Sequence, residues 1–317
     1  MPISMQTIVD TVFTDVLKIR TKDRILIICD RTTKPIAESF LEYGYGFGKS
    51  MLCVEIPVGK HHGEEPPAEI AELFLNHDVL LLITQKSLSH TNARKKATRN
   101  GARILTMPSV TPEILKRCVP VDYNLIAQRN KKIAEALQKA TWVRVTSPSG
   151  TDIRFKLYTE HIAYKIEPHK KGGFHNLPIG EAYAPPKEGT AEGVYVVDGS
   201  HAGVGLVKKP IRITVAKGYA VSIEGGKEAK QLHKLLSSVN HKHAFNIAEL
   251  GIGTNPRAKI TGCVLEDEKV YGTCHIALGN NYSFGGKVNV PIHLDGVIQK
   301  PTIYADDRCI MKNGKLL

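Results

Sequence analysis

Long hydrophobic runs are missing from this chain of 317 residues. The longest, Ile25–Cys29 and Val79–Ile83, fall far short of the ~18 residues of a membrane helix. A helix crossing a bilayer is therefore excluded. Asp10 and Asp15 interrupt the apolar residues of the N-terminus, so a signal peptide is not expected there. Met5, Ile8, Val9, Val12, Phe13, Val16 and Leu17 instead follow the spacing of an amphipathic helix, and the expected location is the cytoplasm. No pair among Cys29, Cys53, Cys118, Cys263, Cys274 and Cys309 has C-x-x-C spacing. Their apolar neighbourhoods suit buried free thiols. Aromatic residues are scarce, at 6%, and do not alternate with the basic ones as a base-stacking surface requires. The net charge of +12 is spread out, with only short clusters such as "ARKKATR" and "PHKKGG". Nucleic acid is thus not the expected partner. No phosphate loop is present either. "GYGFGKS" (44–50) precedes a strand where a dinucleotide fingerprint follows one, and Tyr43 stands where a phosphate loop needs its first glycine.

What remains is a globular composition, 42% hydrophobic and 23% charged, in a chain long enough for two domains. The first part alternates apolar strands ("RILIIC", "MLCVEI", "DVLLLIT", "ARILTM") with helices around Pro35–Tyr43, Pro67–Leu75, Thr91–Arg99 and Pro112–Arg117. Near-continuous apolar strands between helices predict an open, mostly parallel α/β sheet covered on both faces. A helix over 123–140 leads out of it. From "WVRVTSPSGTDIRFKLY" onward the pattern alternates residue by residue, with one helix near Lys227–Val239 and a hairpin at Asn313-Gly314. The expected division is an α/β sheet domain over 1–140 and a β-rich α+β metal-site domain over 141–317.

The chemistry concentrates in the second part. "VPIHLDGVI" (290–298) reads as a strand carrying His293 and Asp295 two apart, and so on one face. Glu181 sits in "GGFHNLPIGEAYAPP", read as a rigid loop. Glu249 sits in "NIAELGIGTNP". His275 lies in "GTCHIALGNNY", with Tyr282 seven residues on. Each alone reads as a solvated carboxylate or a core histidine. Together they form a carboxylate and imidazole set that divalent transition metals favour, and a cation would remove the cost of burying them.

The order "LPIGE-A", "AELGIG", "HIALGNNY", "HLDG" resembles the aminopeptidase T/aminopeptidase S family of metallopeptidases. That resemblance implies an α/β N-terminal domain and a C-terminal domain holding two divalent ions (Zn, Co or Mn). Its metal ligands correspond to Glu181, Glu249, His275, His293 and Asp295, with Tyr282 beside the metals. The implied activity is removal of N-terminal residues from peptides by a metal-activated water, with Glu249 and Tyr282 as catalytic groups. The implied assembly is a homodimer. The acidic run "LEDEKVYGTCH" departs from the family's spacing and leaves Glu266 and Glu268 unaligned. The superfamily also includes a mononuclear iron enzyme that opens a dihydroxypyridine ring. His275, His293 and Asp295 would serve as its two-histidine, one-carboxylate Fe(II) site, making a ring-cleaving dioxygenase the alternative. A non-catalytic metal-binding relative is the third reading.

Overall fold

In the computed structural model, residues 3–317 are described, and the chain divides into two units. One comprises the chain through Val121 together with Ile166–Ile179; the other comprises Asp122–Lys165 and Gly180–Leu317. The expected architecture holds: a parallel sheet with helices, then antiparallel, strand-rich sheets. The boundary drawn from sequence at 140/141 and this division differ over two segments. Helix Tyr123–Gln138 sends Ile133, Ala134 and Leu137 into the core of the β-rich unit. Segment 166–179 contributes a strand to the first unit.

The first unit holds five parallel strands in the order Ser50–Ile56, Arg24–Asp30, Val79–Ile83, Arg103–Thr106 and Phe174–Asn176. Every residue of Val79–Ile83 and Arg103–Thr106 is buried, as strands covered on both faces must be. The helices begin and end where local chemistry dictates. The Thr91 hydroxyl accepts from the Arg94 N–H at the start of Asn92–Asn100, and Gly101 closes that helix at φ +102°. Arg103 lies inside the sheet with its guanidinium on Asp23 and on the Leu17 carbonyl; both charged side chains are almost fully buried. Among the described residues, no helix is long and apolar enough to cross a membrane.

The second unit contains two antiparallel sheets. The eight-stranded sheet runs from Tyr219–Glu224 to Lys315–Leu316, its last turn made by Asn313 and Gly314 at positive φ. The six-stranded sheet has the order Gly205–Leu206, Ser200–His201, His293–Gln299, Thr273–Gly279, Ile247–Gly253, Glu181–Ala184. The stretch read from sequence as one rigid loop, 172–186, therefore supplies two strands, one to each unit. In the six-stranded sheet, Leu250, Ile252, Cys274, Ile276, Leu278 and Ile298 point into a core shared with Val145, Ile153, Phe155, Tyr195, Leu232 and Ile303. The opposite face is free for other chemistry.

Candidate metal centre

Register alone gathers the site. Across the three central strands of the six-stranded sheet, Glu249 stands opposite Ala277 and Ala277 opposite Asp295. One step along, Gly251 faces His275; at the far ends, Gly279 faces His293 and Gly253 faces Glu181. Residues directly opposite in antiparallel strands project to the same side. Two imidazoles and three carboxylates thus share one face, separated only by glycine and alanine. The small residues make room: a Cβ on Gly251 would lie 2.0 Å from His275 Nε2.

The polar atoms converge closely. His275 Nε2 lies 3.3 Å from Glu249 Oε1 and 3.6 Å from Glu181 Oε2. His293 Nε2 lies 3.4 Å from Glu249 Oε2 and 3.3 Å from Asp295 Oδ1. The Glu249 carboxylate therefore stands between the two rings. His293 Nδ1 donates to the Asn280 carbonyl at 2.7 Å, which fixes the tautomer and turns Nε2 inward. Three groups bring their ligand atoms within 4.8 Å of one another: Glu181, Glu249 and His275; Glu249, His293 and Asp295; and Glu268, His275 and Asp295. The two histidines fall in different groups, joined through Glu249 and Asp295.

Electrostatics on this face favour positive charge on the rings and negative charge on Glu249 and Asp295. Burial opposes charge on His275, yet Glu249, Asp295 and Glu181 push its pKa up to about 9. His293 is likewise raised, against burial, chiefly by Asp295. Burial would raise the Glu249 carboxyl, but His275 and His293 hold it below its ordinary value. Asp295 is depressed against burial by the same kind of contact, mainly from His293. Glu181 Oε2, Asp295 Oδ1 and His275 Nδ1 are buried without a hydrogen-bond partner. Unpartnered buried carboxylate oxygens facing imidazole nitrogens fit a bound divalent cation.

Four residues need separate mention. Glu268 joins the centre, whereas Glu266 turns away, its carboxylate accepting from the Lys259 N–H at 3.0 Å. Lys269, which the sequence reading passed over, is 1% exposed and places Nζ 2.5 Å from both Glu181 Oε1 and Glu268 Oε1. Burial works against its charge, but those two carboxylates outweigh it and hold the ammonium's pKa above its usual value. A lysine in the acidic run "LEDEKVYG" reads as solvated, and no local signal in the sequence marks it as buried. Tyr282, expected beside the metals, is 61% exposed. The ring that meets His293 is Phe284, edge-on at 5.4 Å, and Tyr183 in turn meets Phe284 at 5.9 Å.

Comparison with known proteins corrects the family expected from sequence. The family model described as NicX: 2,5-dihydroxypyridine 5,6-dioxygenase matches residues 55–317. A 2,5-dihydroxypyridine 5,6-dioxygenase of Pseudomonas putida KT2440 is 29% identical over 260 residues, covering 75% of this chain and 71% of that one. The solved structure of 2,5-dihydroxypyridine dioxygenase from Pseudomonas putida KT2440 superposes with a TM-score of 0.83 at 22% identity, over 100% of this chain and 98% of that one. Wild-type AmpT from Thermus thermophilus superposes with a TM-score of 0.72 at 16% identity, over 99% and 98%. The likeness to the aminopeptidase is one of fold. The expected aminopeptidase family, and with it peptide hydrolysis by a metallopeptidase, is overturned by the dioxygenase matches.

Proposed function

Since the chain belongs to the NicX 2,5-dihydroxypyridine 5,6-dioxygenase family, we propose that it is a ring-cleaving dioxygenase. Its substrate is 2,5-dihydroxypyridine or a close hydroxylated relative, and its cofactor is a single Fe(II). His275, His293 and Asp295 hold the iron, giving the two imidazoles and one carboxylate suited to non-haem Fe(II) with open positions. The observation that supports this most directly is the inward aim of both Nε2 atoms onto carboxylates of one sheet face. Bound there, Fe(II) supplies the one-electron chemistry that lets molecular oxygen react with an aromatic ring.

The chain's own groups do the rest. Glu249, held ionised by the two histidines, takes the proton of a ring hydroxyl at Oε2, so that the substrate binds as an anion. Phe284 and Tyr183 form an aromatic edge beside His293. A flat heteroaromatic ring packs against such an edge and keeps water from the reacting carbon. Opening the ring between C5 and C6 consumes one O₂, leaves both oxygen atoms in the product and needs no external reductant.

The test is oxygen uptake by protein freed of metal and reloaded anaerobically with Fe(II). One O₂ consumed per 2,5-dihydroxypyridine, with both atoms of ¹⁸O₂ in the ring-opened product, is expected. Fe(II)-loaded protein that consumes neither oxygen nor this substrate would overturn the assignment.

A further inference from the structure

We propose that the Lys269 ammonium takes the place of a second divalent cation and so limits the centre to one metal ion per chain. The inference rests on the reading of this cluster as a metal site and extends it to what sets the number of ions. Two of the tight ligand groups, Glu181–Glu249–His275 and Glu249–His293–Asp295, overlap at Glu249. A shared carboxylate between two donor sets is the arrangement that holds a pair of cations. In the first set Lys269 already engages Glu181, which leaves His275 to the ion held by His293 and Asp295. Glu181 Oε1 is taken by Lys269 Nζ at 2.5 Å, while Glu181 Oε2 lies 3.6 Å from His275 Nε2. Glu181 thus bridges ammonium and imidazole. Glu268 Oε1 binds the same ammonium at 2.5 Å.

The lysine is built into this place. Its backbone N–H donates to the Glu266 carbonyl at 2.9 Å, and its carbonyl accepts from the Asn255 N–H at 2.9 Å. The chain at 269–270 is pressed onto Gly253, where a Cβ would come within 2.1 Å of the Val270 carbonyl oxygen and 2.9 Å of the Lys269 carbonyl carbon. Only a glycine in the neighbouring strand admits this approach. The backbone that carries the ammonium is therefore held in place, with two carboxylates, Glu181 and Glu268, on its Nζ. A divalent ion entering beside Glu181 and Glu268 would have to displace a positive charge whose side chain is 2% exposed.

The test counts metal in wild type, Lys269→Ala and Lys269→Ser. Each is stripped, equilibrated with a tenfold excess of Co(II) or Mn(II), desalted and measured by elemental analysis. Paired-ion magnetic coupling in the Co(II) form provides an independent readout. Wild type is expected to hold one ion per chain, and each variant two, with coupling appearing only in the variants. Should the metal-free variants not fold, the same count is made on protein refolded in Co(II), where recovery only with two ions bound supports the inference. If neither variant folds even then, Lys269→Met, which keeps the side-chain volume without the charge, is counted in the same way: two ions uphold the inference and one overturns it. Two ions in wild type, or one in both wild type and folded variants, would overturn it while leaving the metal site intact. No ion in wild type would remove the site reading itself, and this inference with it.

Discussion

Gly251→Ala isolates the role of His275 without removing any polar atom. The backbone at Gly251 does not adopt the positive φ found at 18 other glycines, so alanine suits the strand. The obstacle is steric. The new Cβ would lie 2.0 Å from His275 Nε2, 2.1 Å from Cε1 and 2.8 Å from Cδ2, against the 3.4 Å at which ordinary contact begins. The ring must retreat by about 1.4 Å or turn away, and either movement takes Nε2 from its place beside Glu249. Overpacking of this kind costs about 1–3 kcal/mol of stability. A ligand displaced by more than 1 Å loses its metal bond, so metal affinity should fall by well over the ~10–100-fold of an outer-shell change. Gly296→Ala is the matched control. Its Cβ would press on Val197 Cγ2 at 2.7 Å, on the sheet's core side, and should lower stability without altering metal affinity. Calorimetric titration with Co(II), alongside thermal denaturation, separates the two effects. If Gly251→Ala bound Co(II) as tightly as wild type, the geometry derived for His275 would be refuted.

Three further outcomes are expected. Asp295→Asn keeps the shape but removes a charge that faces His293 Nε2 at 3.3 Å; metal retained after gel filtration should drop more than tenfold, and unchanged retention would remove Asp295 from the ligand set. Arg103→Met strands Asp23 in the first unit's interior, where both side chains are at most 5% exposed. Denaturant unfolding should show a loss of about 3–5 kcal/mol, and a loss below 1 kcal/mol would mean the pair is not buried as described. The Glu188 carboxyl, which burial alone would raise, is lowered by the Lys287 N–H, the Tyr158 hydroxyl and the Asn281 amide. A depressed carboxylate gives stability that is present above its unfolded value and lost as pH falls through the folded one. Thermal midpoints of Glu188→Gln between pH 3 and 6 should thus vary less steeply than those of wild type; equal slopes would refute the linkage.

The fold was legible because its signals are local. Apolar strands such as Val79–Ile83 sit between capped helices, and the alternation from Trp142 onward marks antiparallel sheet. Phe174–Asn176 was missed because three half-buried residues carry no periodicity, and their pairing with Ile104–Thr106 lies about 70 residues away. The site was readable for a similar reason. His293 and Asp295 share a face by strand geometry, and Glu249 and His275 stand on regular strands whose neighbours are glycine and alanine. Tyr282 lay beyond such reasoning, because the turn Tyr282–Phe284 decides which aromatic ring faces His293.

The chemistry was harder to read than the site, and the cause is charge. Glutamates, histidines and an aspartate in this order describe a place that wants positive charge; they do not say how much is already there. Four carboxylates, Glu181, Glu249, Glu268 and Asp295, meet a single buried ammonium in the centre. One divalent ion beside Lys269 brings that balance to within a single unit of neutrality when both histidines are neutral ligands. Two ions beside the same lysine would leave one unit of the opposite sign, so net charge does not choose between them; what differs is that the ammonium already holds Glu181 Oε1 and Glu268 Oε1. On the inference drawn above, the number of metals is limited by a lysine that ligand-type residues in the sequence do not announce. It becomes visible only when the segment 264–272 is seen folded back onto Gly253.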